Sequence, residues 1–162
     1  MPVILVTGMS GTGKSTTLAA LARLGYVAID TDYGDWTTPG PDPLWREDLI
    51  DALITTHEHS GDPLFISGTV RNQAVFRPRF DHIVLLTAPL AVILDRVTHR
   101  TTNPYGNSPA DRTRITTDTT LIEPLLRQSA TVEIDTRRPL PEVIAHLTTL
   151  AGPLTANPPP TT

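Results

Sequence analysis

The sequence has 162 residues, a formal net charge of −4, no cysteine and an aromatic content of 5%. These values favour one domain with a single core, and they argue against a disulfide scaffold, a thiolate metal site, a cysteine nucleophile and a nucleic-acid-binding surface. No apolar stretch approaches the ~20 residues that a membrane span needs, and the apolar run at residues 3–6 lacks the basic flank of a signal peptide, so we expect a cytoplasmic protein that binds no membrane.

Short apolar runs alternate with amphipathic segments along the whole chain. In chain order, the pattern predicts a strand at 3–6, a helix at 14–24, a strand at 26–29, a helix at 44–59, strands at 64–67 and 83–86, helices at 90–100 and 109–127, a strand at 131–134 and a helix at 140–150. Strands that are apolar throughout and alternate with helices are typical of parallel sheets covered on both faces. We therefore predict an α/β fold with three layers and about five parallel strands flanked by helices.

The ends of the chain and one internal loop differ in composition from the rest. Residues 1–151 are predicted to form the one domain, and residues 101–110 form a polar loop that includes Asn103-Pro104-Tyr105-Gly106. Residues 152–162 are rich in Pro and Thr and have no apolar periodicity. This composition predicts a flexible tail.

Residues 8–15 match the pattern G-x-x-x-x-G-K-[ST] between a predicted strand and a predicted helix, which is the context the motif requires. Its glycines allow successive backbone N–H groups to point at one anion, and the helix that follows adds its positive dipole end. The Lys14 ammonium can reach the β- and γ-phosphates, and the Ser15 hydroxyl can ligate Mg²⁺. The motif predicts a site for a nucleoside triphosphate, which we take to be ATP with Mg²⁺.

Two carboxylates follow the second predicted strand. Asp30 and Asp32 lie at its carboxyl end, where ligands gather in a parallel sheet, and they are neighbours on one side if the strand geometry continues. One could hold Mg²⁺ through water while the other orients or deprotonates an acceptor hydroxyl, although Asp also favours strand ends and turns. Trp36 and Trp45 flank the loop beyond, and they either line an acceptor pocket or pack that loop.

Arginines lie near the predicted mobile parts of the site. Arg96 and Arg100 are four residues apart on one helical face, just before the polar loop, and Arg71 follows the third predicted strand. Phosphoryl transfer depends on positioning and on charge neutralisation. We therefore expect at least two of Arg46, Arg71, Arg96 and Arg100 to contact ligand, and we expect the polar loop to close over ATP and exclude water.

Residues 3–150 resemble the small P-loop kinases of the shikimate kinase and nucleoside monophosphate kinase group, and shikimate kinase in particular. Besides the phosphate loop, three segments carry the resemblance: Ile29-Asp30-Thr31-Asp32, Trp45-Arg46-Glu47-Asp48-Leu49, and Ala130-Thr131-Val132-Glu133-Ile134-Asp135-Thr136 with the helix after it. The family's triple-glycine segment, which lines its acceptor pocket, is replaced here by Ser67-Gly68-Thr69. This departure argues against shikimate itself as the acceptor.

The resemblance implies roles for individual residues. Asp30 would assist Mg²⁺, Asp32 would contact the acceptor hydroxyl, Arg46 would bind an anionic group of the acceptor, and residues 136–139 would border the adenine. Together with the residue patterns, it assigns catalysis to Lys14, Asp32, Arg96 and Arg100, and metal binding to Ser15 and Asp30. It assigns ATP binding to Gly8, Ser10, Gly11, Thr12, Gly13, Lys14, Ser15, Thr16, Arg96, Thr136 and Arg137, and acceptor binding to Asp32, Arg46, Gly68 and Arg71.

The predicted function is transfer of the γ-phosphate of ATP to a small hydroxylated metabolite, by a monomer or homodimer without a nucleic-acid or membrane partner. The alternative within this class is a nucleoside or nucleotide kinase. The alternative outside it is a regulatory ATPase that binds nucleotide without an acceptor. A switch GTPase would carry a guanine-reading Asn-Lys-x-Asp segment, and the only lysine of the sequence is Lys14. The sequence therefore excludes that class.

Overall fold

The computed structural model describes residues 2–100 and 105–154. The strands are β1 (Val3–Thr7), β2 (Val27–Asp30), β3 (Leu64–Ser67), β4 (His82–Thr87) and β5 (Val132–Asp135). The helices are α1 (Lys14–Arg23), α2 (Glu47–Ser60), α3 (Leu90–His99), α4 (Pro109–Ser129) and α5 (Leu140–Ala151), with a 3₁₀ segment at Arg71–Arg79.

The five strands form one parallel sheet in the order β2-β3-β1-β4-β5. β1 lies at its centre, where Leu5 is opposite Ile66 of β3 and Ile83 of β4. Because all strands run the same way, the chain after every strand leaves from one edge of the sheet. This arrangement confirms the predicted α/β fold and brings the phosphate-loop motif and the two carboxylates at the end of β2 to the same edge.

Apolar side chains cover both faces of the sheet. On one face, Ile4 and Val6 of β1 belong to a core with Leu21 of α1 and Leu147 of α5. On the other face, the core is built from these buried residues: Val3, Leu5, Trp45, Ile50, Ile54, Leu64, Ile66, Phe76 and Ile83. Alternating residues of β1 thus serve opposite layers, as the period of a strand requires. The predicted three-layer arrangement is confirmed.

The segment before α2 differs from the prediction. The helix begins at Glu47 rather than at residue 44, because Trp45 is held in another role. Trp45 is buried, and its backbone pairs with that of Thr37 in an isolated β-bridge. Its indole N–H donates to Thr31 Oγ1 at 2.9 Å, and its ring packs edge-on against Phe76. The indole therefore packs the loop, which is the second of the two alternatives for this residue.

One segment of the fold was not predicted from the sequence, and two predicted segments are described only in part. The 3₁₀ segment at Arg71–Arg79 was not predicted, since it has no apolar periodicity and contains Pro78. Residues 101–104 of the predicted loop and residues 155–162 of the predicted tail lie outside the described residues. The first residue of the predicted tail, Gly152, is described, and its carbonyl accepts a hydrogen bond from the Tyr26 hydroxyl at 3.1 Å. Among the described helices, none is long and apolar enough to cross a bilayer.

Candidate active site

The loop between β1 and α1 is shaped by glycine and by one threonine. Gly13 has φ +96°, and a Cβ atom on Gly8 would lie 2.6 Å from the Leu86 carbonyl oxygen, so both positions disfavour a side chain. The buried Thr12 hydroxyl donates to the Met9 carbonyl at 2.7 Å, which fixes the turn from inside. The loop leads directly into the first turn of α1, where backbone N–H groups and the helix dipole favour an anion.

Lys14 is almost fully buried, and its ammonium occupies the interior of this loop. Its Nζ donates to the carbonyl oxygens of Gly8 at 2.6 Å and Met9 at 3.0 Å. Burial lowers the pKa of Lys14, and the nearby carboxylates of Asp32 and Asp30 oppose that shift. The desolvated cation is therefore held within the phosphate loop, where an anionic ligand would stabilise its charge.

Ser15 and Asp30 form a direct pair beside Lys14. The Ser15 hydroxyl donates to Asp30 Oδ2 at 2.6 Å, and the other oxygen of that carboxylate accepts from the Ser67 hydroxyl at 3.3 Å and the Asp32 N–H at 3.1 Å. No cluster of three or more carboxylate, imidazole or thiol groups that could hold a metal occurs in residues 2–100 and 105–154. Mg²⁺ typically takes one or two protein oxygens together with phosphate oxygens and water. The Ser15–Asp30 oxygens fit such a site.

Asp32 stands where an acceptor could meet the phosphate loop. Its carboxylate faces an open cleft, yet the surrounding protein displaces enough water that desolvation raises its pKa. The charges of Lys14 and Arg100 lower this pKa and that of Asp30 raises it, and the net direction is upward. A carboxylate with a raised pKa in a cleft is a better proton acceptor for a hydroxyl group than an ordinary surface Asp.

A cavity of about 1040 Å³ begins at the phosphate loop and gathers most of the predicted site. Its lining includes these predicted residues: Gly8, Ser10, Gly11, Gly13, Lys14, Ser15, Thr16, Asp32, Arg71, Arg96 and Arg100. Arg71 also forms an ion pair with Asp42, which lines the cavity as well. The cavity thus unites residues that are up to 92 positions apart in the sequence.

Two residues assigned to the acceptor lie elsewhere. Arg46 is exposed, precedes the first turn of α2 and does not line the cavity. Gly68 does not line it either; a Cβ atom there would lie 2.6 Å from Thr31 Oγ1 and 3.0 Å from Trp45 Nε1, so the glycine allows close packing. The assignment of Arg46 and Gly68 to acceptor binding stays a prediction without support from this geometry.

Arg96 connects two loops of the site. Its guanidinium donates to the Gly11 carbonyl at 3.2 Å, to Thr136 Oγ1 at 2.9 Å and to the Thr136 carbonyl at 2.8 Å. Arg96 and Thr136 line a second cavity of about 250 Å³ beside α1, together with Arg138. The resemblance places the adenine beside residues 136–139, two of which line this cavity. Through its hydrogen bonds, Arg96 braces the phosphate loop against the loop after β5.

Arg137 and Arg100 lie near this brace and make different contacts. Arg137 does not line this second cavity but pairs with Asp135, whose pKa it lowers to about 2. Arg100 lies near enough to Lys14 and Asp32 to influence the pKa of both, and it donates to the Tyr105 carbonyl. Arg96 and Arg100 thus both line the large cavity, Arg96 bonded to the phosphate loop and Arg100 close to Lys14 and Asp32.

Sequence reasoning missed a polar network beside the phosphate loop. The Thr69 hydroxyl donates to the Gly8 carbonyl at 2.5 Å, and the Gln73 side chain donates to Thr7 Oγ1 at 3.2 Å. Tyr33, also unassigned, lines the cavity next to Asp32. Their positions in the sequence could have identified these residues, because Thr69 follows the carboxyl end of β3 and Tyr33 follows that of β2, where ligands gather in a parallel sheet.

The brace formed by Arg96 leads to a prediction. Arg96→Met should weaken ATP binding about 10- to 100-fold, because hydrogen bonds from a charged group to both loops are lost together. Isothermal titration with a non-hydrolysable ATP analogue measures this change. Arg23→Met, at an exposed arginine on α1, is the control and should leave the affinity unchanged. Equal affinities of Arg96→Met and the wild type would show that the brace does not support the nucleotide site.

A comparison with protein families finds a match that spans most of the chain. Residues 4–117 match the family described as an AAA domain. The chain belongs to this family. No curated protein matches the sequence of this AAA domain protein.

Solved structures similar to the AAA domain protein include several small kinases. Shikimate kinase from Acinetobacter baumannii, in complex with shikimate, is 19% identical with a TM-score of 0.59, covering 93% of this chain and 92% of that one. A gluconokinase from Sinorhizobium meliloti is 24% identical with a TM-score of 0.58, covering 93% of each chain. Shikimate kinase from Bacteroides thetaiotaomicron is 18% identical with a TM-score of 0.60, covering 92% and 97%. These likenesses confirm that the fold is that of small P-loop kinases.

Proposed function

We propose that the protein is an ATP-dependent kinase that transfers the γ-phosphate of ATP, with Mg²⁺, to a hydroxyl group of a small metabolite. The observation that carries this proposal is the arrangement at one end of the large cavity, where Lys14 and the Ser15–Asp30 pair adjoin Asp32. The same cavity continues well beyond the phosphate loop, which leaves room for a second ligand.

The phosphate loop would bind the triphosphate of ATP through its backbone N–H groups and the Lys14 ammonium. On binding, Lys14 would exchange its bonds to the Gly8 and Met9 carbonyls for bonds to phosphate oxygens. Ser15 and Asp30 would hold Mg²⁺, which neutralises charge on the phosphates when bound. The fixed positions of these groups lower the entropy cost of aligning ATP for transfer.

Asp32 would orient the acceptor hydroxyl and accept its proton as the oxygen attacks the γ-phosphorus. The bond from that phosphorus to the bridging oxygen breaks, ADP leaves, and the acceptor becomes a phosphate monoester. Arg100 would neutralise negative charge that develops on the transferred group, since it lies at the phosphate end of the cavity near Lys14 and Asp32.

The continuation of the cavity favours this proposal over a regulatory ATPase without an acceptor. Known structures with the same fold include proteins described as shikimate kinase and gluconokinase, which supports a hydroxylated acceptor. Replacement of the triple-glycine segment by Ser67-Gly68-Thr69 supports an acceptor other than shikimate. We further propose that the enzyme acts in the cytoplasm as a monomer or homodimer, without nucleic-acid or membrane partners.

A panel of acceptors tests the proposal. Purified protein with ATP and Mg²⁺ should release ADP slowly alone and at least tenfold faster with a suitable hydroxylated acceptor. Phosphorylation of that acceptor should be visible by ³¹P NMR or mass spectrometry. Constant ADP release with polyols, sugar acids, alkyl diols, nucleosides and nucleotides would support the regulatory ATPase instead. Stimulation by nucleosides or nucleotides alone would support the nucleoside or nucleotide kinase.

A further inference from the structure

The large cavity runs along one face of the sheet, away from the phosphate loop. Thr7 and Leu5 both line it, and side chains two positions apart on β1 share a face. Leu5 lies about 7 Å from Thr7 along the strand, further from the phosphate loop. At that level Leu5 is opposite Ile83 of β4, which also lines the cavity. The cavity therefore extends from the polar edge of the sheet over its apolar middle.

One wall of the cavity is a long face of α4 whose chemistry changes along the helix. Arg114 and Asp118 line the first part, and they form an ion pair with each other. The next lining residues are Ile122, Leu125 and Leu126. The spacing of three or four residues places all five on one side of the helix. With a rise of about 1.5 Å per residue, the charged part gives way to an apolar one within about 6 Å.

The opposite wall is the 3₁₀ segment and the residues that follow it. Ala74 and Phe80 line the cavity from this side. At the far end, the Arg77 guanidinium donates to the Ser129 hydroxyl at 2.7 Å, which joins the 3₁₀ segment to the end of α4. This bridge gives the guanidinium a partner on the opposite wall. We call the part of the cavity between the phosphate end and this bridge the apolar section. Its side chains are those of Leu5, Ala74, Phe80, Ile83, Ile122, Leu125 and Leu126.

We propose that the acceptor carries an apolar body, an alkyl chain or an aromatic ring, attached to the hydroxyl group that is phosphorylated. The inference rests on the proposed kinase function and specifies its substrate class. The phosphate end has the groups that ATP and a reacting hydroxyl require, namely Lys14, Asp32 and Arg100. The side chains that define the apolar section are aliphatic or aromatic, and the polar groups nearest to it along α4 and at the far end already have partners, since Arg114 pairs with Asp118 and Arg77 bonds to Ser129. A sugar acid or polyol would lose water there without gaining partners, whereas an apolar body gains burial.

A homologous series of acceptors tests this inference. The probes are 1,2-alkanediols of three to eight carbons, and the measurement is kcat/KM for phosphorylation with ATP and Mg²⁺. We expect kcat/KM to rise about threefold to fourfold for each methylene group that enters the apolar section, the factor that burial of one methylene supplies. Phosphorylation of polyols or sugar acids with no gain across the diol series would overturn the inference while leaving the kinase proposal intact.

Two residues of α4 offer a matched pair of variants. Leu125 lines the cavity and is 60% exposed, while Leu121, one turn away, is 65% exposed and does not line it. Both substitutions by Gln should therefore leave folding unchanged. Leu125→Gln should lower kcat/KM for 1,2-octanediol about tenfold and leave 1,2-propanediol unaffected, whereas Leu121→Gln should change neither. Equal behaviour of the two variants towards octanediol would contradict the placement of the apolar body.

Filling the cavity provides a second pair and a readout independent of transfer. Ala74 lines the cavity, and the exposed neighbour Val75 does not. Ala74→Trp should abolish binding of 1,2-octanediol, measured by calorimetry in the presence of a non-hydrolysable ATP analogue, while Val75→Trp should preserve it. One outcome would separate the two proposals: octanediol binds to the wild type and not to Ala74→Trp, and no acceptor is phosphorylated. That result would support the apolar section as a binding site and overturn the kinase proposal. No octanediol binding to the wild type would overturn the inference itself.

Discussion

Lys14→Ala should reduce phosphotransfer by at least about 10³-fold, below detection in a standard assay. The loss follows from removing the one cation inside the phosphate loop, whose charge must neutralise phosphate oxygens as the phosphoryl group moves. The Lys14 ammonium is already aimed into that loop, bonded to the Gly8 and Met9 carbonyls. Steady-state kinetics with the best acceptor from the panel measures the effect, with single-turnover assays to separate chemistry from product release.

The same variant should remain folded. Burial lowers the pKa of Lys14 in the folded protein relative to the unfolded chain, so its protonated form opposes folding at every pH below the unfolded pKa. Thermal unfolding should therefore stay cooperative in Lys14→Ala. Lys14→Arg is the informative companion, because a planar guanidinium fits poorly within a ring of backbone groups and should also be inactive. Transfer at the wild-type rate by Lys14→Ala would rule out the proposed mechanism.

Asp32→Asn should lower kcat about 10²- to 10⁴-fold and leave ATP affinity close to that of the wild type. The amide keeps the shape of the side chain but cannot accept the proton of the acceptor hydroxyl, and general-base catalysis contributes effects of this size. Rapid-quench transfer assays and ATP titration give the two quantities separately. Asp32 is chosen over Asp30 because Asp30 is engaged by Ser15 and Ser67, whereas Asp32 faces the cavity.

The activity of the wild type should depend on pH through the ionisation of Asp32. Its folded pKa is raised, chiefly by desolvation, and a base must be deprotonated to act. Activity should therefore fall as the pH drops through this raised pKa, at a higher pH than for an ordinary Asp. The residual activity of Asp32→Asn should lack this acidic limb.

Folding of Asp32→Asn provides the control for this interpretation. Because the folded pKa of Asp32 is raised, its ionised form is disfavoured by folding at pH values above the unfolded pKa. The thermal stability of Asp32→Asn at pH 8 should therefore equal or exceed that of the wild type. A parallel loss of turnover and ATP affinity, or an acidic limb that persists in the variant, would assign Asp32 a structural role instead.

Local sequence patterns predicted the architecture well because each strand and helix carries its own signal. The fully buried strand β3 was predicted at its observed bounds, Leu64–Ser67, and α3 ends one residue before its predicted end. The errors arose where long-range contacts override local pattern. Trp45 fits a helical pattern, but its burial against Thr31 and Phe76 keeps it outside α2. Leu49 shares the predicted apolar face yet is 37% exposed, at the edge of the packed surface.

In the candidate site, too, some residues could be placed from local sequence patterns and others depend on long-range contacts. Asp30 ends a strand, and Lys14, Ser15 and Asp32 come after strands, so their meeting at one edge could be deduced from strand direction alone. The partners of Arg96 could not, because Gly11 and Thr136 lie 85 and 40 positions away and the approach depends on how α3 packs. The cavity beyond the phosphate loop was equally inaccessible to sequence reasoning. Its walls come from α4 and from a 3₁₀ segment whose sequence carries no periodic signal.

The buried position of Lys14 has a practical consequence. It carries the only side-chain amine in the 162 residues, and its lowered pKa increases the share of the nucleophilic, uncharged form at a given pH. Acylating reagents that modify a lysine of this protein therefore report on one location only. A bound triphosphate would cover that amine and hold it protonated. The extent of lysine acylation thus becomes a chemical footprint of site occupancy, readable by mass spectrometry in a mixture without any engineered label.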